Sequence, residues 1–230
     1  MLGGGIEGGT STLISGPPGT GKSSLAAQFV SAALARGEHA AMFLFEESAS
    51  NLLNRCEAMK MNLRSHLDSG ELVIRQIDPA ELSPGQFVHM VCSIATAGAT
   101  LIVIDSLNGF MNAMPDERLL ATHLHELLTY LGQQGVVTFI IGVQPGMLGG
   151  AVSTSLNTSY LSDNILMLRY FEAAGEVRQA IAVFKKRGGR HERTLRNFSL
   201  SSDGIEVGAV LREFHGVLTG VPRLAEHGNA

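Results

Sequence analysis

Cysteine is scarce in this chain. Cys56 and Cys92 are the only two in 230 residues, and they show neither metal-type spacing nor the partners of a disulfide framework. That excludes a cystine-stapled secreted scaffold and a cysteine-ligated zinc module, and it suits a reducing compartment. Long apolar runs are missing too. The longest, around Gly135 to Val143, is far too short to span a bilayer, and Met1 to Gly9 carries neither a basic head nor an apolar stretch of signal-peptide length. The expectation is a cytoplasmic protein with no membrane partner. A large excess of either charge is also lacking: Lys+Arg 17 against Asp+Glu 21 leaves a formal net charge of -4, so the overall balance calls for no nucleic acid. Internal repeats and low-complexity segments are absent. With 45% hydrophobic residues the chain can bury a full core, and the expected organisation is one domain over 1–220 followed by a polar tail, 221–230.

What is present is a nucleotide motif in its proper setting. Gly16-Pro17-Pro18-Gly19-Thr20-Gly21-Lys22-Ser23 fits G-x-x-x-x-G-K-[ST] at every fixed position. Before it, Thr12 to Ser15 read as a short strand. After it, Ser23 to Arg36 read as a helix stopped by Gly37. Glycines allow successive amide hydrogens to turn inward onto a polyphosphate, with no side chain in between. Lys22 can bridge the terminal phosphates as a point charge, and the Ser23 hydroxyl can take a place on Mg²⁺. The candidate nucleotide-binding set is therefore Gly16, Pro17, Pro18, Gly19, Thr20, Gly21, Lys22, Ser23 and Ser24, with ATP and Mg²⁺ as cofactors.

The remaining pieces follow in chain order. Ala40 to Phe45 is a continuous apolar run ending in Glu46-Glu47, as a buried parallel strand does at the carboxyl edge of its sheet, where ligands bind. Of this pair Glu46 is the choice for orienting or activating water, with Glu47 secondary, since alternation keeps both from facing one water. Ser48 caps a helix through Asn51 to Met61, with Leu52, Leu53, Cys56, Met59 and Leu63 on one face. Glu71 to Ile77 is a strand, and Ser83-Pro84 opens a helix to about Ala97. Leu101 to Ser106 is an apolar strand delivering Asp105, the carboxylate expected to hold Mg²⁺, through water. Asn108 to Pro115 reads as a loop, Asp116 to Gln134 as a helix, and Val136 to Val143 as a strand bringing Gln144 to the same edge to sense phosphate or orient water. Pro145 to Tyr160 is a long Gly/Ser/Thr loop. From Asn164 the pattern turns to strands: Ile165 to Tyr170, Gln179 to Lys186, Thr194 to Leu200 and Ile205 to Val207. The fold class is α/β, a mostly parallel sheet flanked by helices with antiparallel strands added at the C-terminal end.

Several of these segments carry a family likeness: Leu2 to Ile6, Glu46-Glu47 after Phe45, Ile104-Asp105-Ser106, Tyr170-Phe171-Glu172 with Gly175-Glu176-Val177-Arg178, and Val183 to Glu192. The chain resembles the KaiC-like branch of the RecA-type ATPases over nearly its whole length. The resemblance implies a RecA-like P-loop ATPase that assembles as a homo-oligomer, a hexameric ring with nucleotide held between neighbours. It implies a hydrolytic role for the paired glutamates, a Lys-x-Arg pair at Lys185 and Arg187 reaching the neighbour's nucleotide, and His191 in the place of the family's following histidine. Strand alternation agrees in letting Lys185 and Arg187 reach one ligand while Lys186 faces away. Clock members carry two such domains in tandem, this chain one. Ser159 and Tyr160 fall at the family's phosphoacceptor pair, so only the first hydroxyl type is kept.

These readings converge on an oligomeric regulatory ATPase, with a regulatory protein partner of unknown identity. A recombination ATPase on DNA is the rival within the fold, and the loops argue against it, because Asn108 to Pro115 and Pro145 to Tyr160 contain no Lys or Arg to neutralise phosphates. Two further rivals are a low-turnover signalling scaffold and an autokinase acting on its own Ser/Thr-rich loop.

Overall fold

The computed structural model describes residues 1–112, 117–143, 161–219 and 223–224. Strands β1 (Ser11–Gly16), β2 (Ala40–Leu44), β3 (Leu72–Gln76), β4 (Leu101–Asp105), β5 (Val137–Val143), β6 (Asn164–Ala173), β7 (Glu176–Lys186), β8 (Arg196–Ser201) and β9 (Gly204–Val210) form one nine-stranded sheet in the order β3-β2-β4-β5-β1-β6-β7-β8-β9. From β3 to β6 every neighbouring pair is parallel, and from β6 to β9 every pair is antiparallel. The expected class is therefore the observed one. One detail differs from the sequence reading: β6 opens the late strands, yet it pairs parallel to β1 through Thr12↔Asn164 to Ser15↔Met167. It belongs to both halves of the sheet.

Helices α1 (Lys22–Leu34), α2 (Ala49–Ala58) and α3 (Leu63–Ser69) cover one face, and α4 (Pro84–Thr96) and α6 (Glu117–Gln133) cover the other. The division is written in the period-2 alternation of the strands. Ala40, Met42 and Leu44 of β2, with Leu101 and Val103 of β4, pack with Leu25, Val30, Leu52 and Cys56. Their alternates Ala41, Phe43, Ile102 and Ile104 pack with Phe87, Val91, Leu127 and Leu131. Because strands buried on both faces need no polar alternation, these runs are apolar throughout, which is what made them legible.

Caps fall where the sequence put them. The Ser48 side chain accepts from the Asn51 amide, and Ser83 forms a reciprocal capping box with Gln86 behind Pro84. Two expectations need correction. The Asn51 to Met61 helix stops at Ala58, because Lys60 takes a positive φ of 61°, and Leu63 starts the separate α3. The expected loop after β4 begins with a short helix, α5 (Leu107–Asn112). Gly109 there sits so close to Phe45 that a β-carbon would meet the Phe45 Cβ at 2.3 Å. Of the expected tail, Arg223–Leu224 is described, and it pairs with Phe214–His215 as a small two-stranded sheet.

Candidate active site

Strand order places the site. Between β1 and β2 the chain crosses over β5 and β4, and after β5 it returns to the far side of β1 as β6. Such a reversal opens a crevice at the carboxyl ends of the strands. The phosphate loop follows β1 directly into that crevice and ends as the N-terminus of α1. Gly19 and Gly21 have φ of 77° and 89°. A side chain at either would also collide, with Tyr170 Oη at 2.8 Å in one case and Leu200 Cδ1 at 2.5 Å in the other. Both glycines are thus required by conformation, and a β-carbon at either would also have to push aside the end of a neighbouring side chain. Tyr170 and Leu200, from β6 and β8, wall the loop, and Gln179 Nε2 donates to the Gly19 carbonyl at 3.5 Å.

Lys22 is 6% exposed, and its Nζ donates to the Pro17 carbonyl at 2.7 Å, as the Thr20 hydroxyl does at 2.8 Å. Burial brings the Lys22 ammonium down to about 8, against the pull of Asp105 and Glu46, which favour its charge. Asp105 is pushed the other way. Burial raises its pKa and the nearby Glu47 adds to this, while a hydrogen bond with Ser23 and the charges of Arg55 and Lys22 work in the opposite direction. The Asp105–Ser106 peptide is cis.

The two glutamates separate as alternation requires. Glu46 Oε1 accepts from the Ser106 hydroxyl at 3.1 Å. Glu47 is clamped by Arg55 of α2, which donates from Nη1 to Oε1 and from Nη2 to Oε2, the latter at 2.8 Å. Ser106 and Arg55 are not among the site residues expected from the sequence. The signal was there: Arg55 lies eight residues after Glu47, two helical turns along α2, on the side facing the sheet edge.

The late basic residues are elsewhere. Lys186 pairs with Asn164 and Lys185 with Ile165, at the start of β6 and therefore at the amino edge of the sheet. Since Asn164 is level with Thr12, roughly 13 Å of β1 separates that level from the phosphate loop. Lys185 Nζ donates to the Ser162 carbonyl at 2.6 Å, and Arg187 Nη1 to Asp163 Oδ1 at 3.0 Å. Lys186 turns away to Glu7 at 2.6 Å. The parity read from sequence thus holds, although a register shift at Ile165/Leu166 leaves Phe184 as an extra, exposed residue. His191 stands beside the N-terminal segment, where the Glu192 amide donates to the Met1 carbonyl at 2.9 Å. The structure brings together Lys22, Ser23, Asp105, Glu46 and Glu47, and it leaves Lys185, Arg187 and His191 away from their own phosphate loop. Gln144, Ser159 and Tyr160 lie outside the described residues.

The family model for the KaiC ATPase matches residues 1–211. The chain belongs to the KaiC family of ATPases. Among its relatives, the circadian clock protein KaiC3 of Synechocystis sp. is 29% identical over 224 residues, 96% of this chain and 44% of that protein. The circadian clock oscillator protein KaiC of Acaryochloris marina is 29% identical over 223 residues, 96% and 42% of the two chains. That of Synechococcus elongatus is 28% identical over 223 residues, 96% and 43%. The chain spans less than half the length of these curated relatives. With its central sheet, this KaiC domain is RecA-like.

The donors of this KaiC-family site fit a small hard cation. Asp105 Oδ2 is buried with no hydrogen-bond partner, and the Ser23 hydroxyl bonds to the same carboxylate. An orphaned buried carboxylate oxygen is costly unless something satisfies it. Mg²⁺, directly or through one of its waters, is the ligand that such an oxygen-only pair suits. Among the described residues no cluster of three or more His, Cys, Asp or Glu could hold a metal by itself, so phosphate and water oxygens would complete the shell. No helix among the described residues is long and apolar enough to cross a membrane.

Proposed function

We propose that this domain is a Mg²⁺-dependent ATPase that works as a homo-oligomeric ring, with nucleotide occupancy controlling the ring and its regulatory partners. The observation that carries the reading is the meeting, at one crevice, of the phosphate loop, the buried Lys22, the orphaned Asp105 oxygen and Glu46. The loop amides and Lys22 bind the β and γ phosphates and balance their charge. Bound Mg²⁺ would supply further neutralisation of the phosphate oxygens, held by Ser23 and Asp105. Glu46, steadied by Ser106, orients a water for in-line attack on the γ-phosphorus and accepts its proton. The bond from phosphorus to the leaving oxygen of ADP then breaks, with ADP and phosphate as products.

Lys185 and Arg187 complete the site of the next subunit. Their position at the amino edge of the sheet supports this role, because they are out of reach of their own loop. Arg187 is 63% exposed, while Asp163, which holds it, is anchored by the Ser11 amide and hydroxyl at 3.0 and 3.2 Å. An exposed guanidinium on a fixed base suits a donor to another molecule. Native mass and phosphate release, each measured with and without Mg²⁺ and ATP, test the reading. The expected result is a six-subunit ring that turns over ATP. A monomer under all conditions, hydrolysing at full rate, would overturn the shared site.

A further inference from the structure

Arg55 and the Glu47 it grips are charged groups of the crevice that the mechanism above leaves without a task. Arg55 lines a cleft of about 250 Å³ together with Gly19, Gly21, Lys22, Ser23 and Ser24, the residues of the phosphate loop and the first turn of α1. Its two Nη atoms grip the two oxygens of Glu47, while its Nε is buried with no hydrogen-bond acceptor. A guanidinium carries five donors in a fixed plane, so a bidentate carboxylate on one side leaves others to be satisfied. An anion rich in oxygens, seated on the neighbouring loop amides, would supply acceptors for the outer Nη hydrogens, which the bidentate pair with Glu47 leaves free on a side chain 35% exposed.

Charge points the same way. Glu46, Glu47 and Asp105 are three carboxylates at a site meant for a polyanion, and Lys22 and Arg55 are the cations that face them in the described residues. Without Arg55, the Glu47 carboxylate would stand unopposed beside Asp105 and repel phosphate.

We propose that Arg55 is a second cation of the polyphosphate site, given by the same subunit, and that Glu47 is its anchor and not a water-activating base. The proposal rests on the nucleotide reading above and adds to it a residue contributed in cis, distinct from the Lys185 and Arg187 given in trans. Glu47 fixes the plane of the guanidinium, so that its free edge meets phosphate without a search through rotamers.

The test compares the binding of MgATP, ADP and adenosine to the wild type, Arg55→Gln and Lys22→Ala, with the melting temperature of each protein measured in the absence of nucleotide. Arg55→Gln is expected to weaken ATP and ADP by about tenfold to a hundredfold, the loss of a charge-assisted contact, with adenosine binding unchanged. Equal loss of adenosine, or unchanged ATP affinity beside a lowered melting temperature, would make Arg55 a structural tie of α2 and overturn the proposal. If Lys22→Ala itself leaves ATP affinity untouched, the phosphate-loop reading fails, which is a separate outcome from failure at Arg55 alone. Should Arg55→Gln fail to fold, Arg55→Lys keeps one ion pair with Glu47 but cannot hold carboxylate and phosphate in one plane. Weaker ATP with unchanged adenosine in that variant supports the proposal, and wild-type ATP affinity overturns it.

Discussion

The two edges of the sheet put their charges to different uses. At the carboxyl edge, β1, β2 and β4 end within one crevice, and the residues there turn toward one another: the buried Lys22 into its own loop, Asp105 onto Ser23, Glu46 onto Ser106, Glu47 onto Arg55. At the amino edge, Lys185 Nζ and Arg187 Nη1 are held by the Ser162 carbonyl and by Asp163, and the Arg187 side chain is largely in solvent. The first arrangement holds a ligand within the chain. The second stands apart from that ligand, and in the proposed ring it would serve the site of another copy.

Breaking that comparison at the amino edge should have the largest effect. In the ring, Arg187→Ala is expected to lower turnover by about 10³ while an isolated subunit still binds ATP. Mixing Arg187→Ala with Lys22→Ala subunits should restore part of the activity that neither has alone, since some interfaces then pair an intact loop with an intact arginine. Co-assembly of both variants with no recovery in a phosphate-release assay would place the two edges in separate tasks.

At the carboxyl edge, Glu46→Gln keeps the shape and removes the base, so turnover should fall roughly a hundredfold with ATP still bound. Single-turnover measurements on preloaded protein would separate the two quantities, and an unchanged rate would remove Glu46 from the chemistry. Lys22→Ala sharpens the same edge from the binding side. Loss of a buried charged donor should weaken ATP by about tenfold to a hundredfold, read by titration calorimetry, and with it any nucleotide-driven assembly.

The smallest effect expected is chemical. Cys56 is buried beneath α2, and burial pushes its thiol up to about 11, with Glu47 adding to this and Arg55 opposing it. A raised thiol pKa means less thiolate: at pH 8 about one molecule in a thousand carries it. A disulfide reagent should therefore titrate one fast thiol per chain, Cys92, and reach Cys56 only on unfolding. Two fast thiols would mean that α2 does not cover its core as described.

Much of the crevice was legible because its chemistry is contiguous. Eight residues in a row specify a loop, a strand in front and a helix behind, and a run of apolar residues ending in one carboxylate marks where a buried strand reaches the sheet edge. Leu101 to Asp105 and Ala40 to Glu46 could be read that way with no knowledge of their neighbours. The helix break at Lys60 could not, since Lys is an ordinary helix former and its positive φ is set by how α2 and α3 settle on β3. Nor could α5, where Gly109 lies against Phe45, just past the end of β2. The pairing of Glu47 with Arg55 escaped for a related reason: spacing offers many possible ion pairs, and only the packing of α2 against the sheet edge selects one.

By itself, then, the sequence determined the nucleotide chemistry, the alternation that divides the two helical layers, and the family, because each rests on local patterns of residue type. Tertiary structure alone decided which groups share a crevice and which stand a strand's length apart. It put Arg55 beside the phosphate loop across the gap between two helices, and it carried Lys185 and Arg187 to the far edge by reversing β7 against β6. Those placements depend on strand order and direction, which arise from how the whole sheet closes its core and appear in no single stretch of the chain.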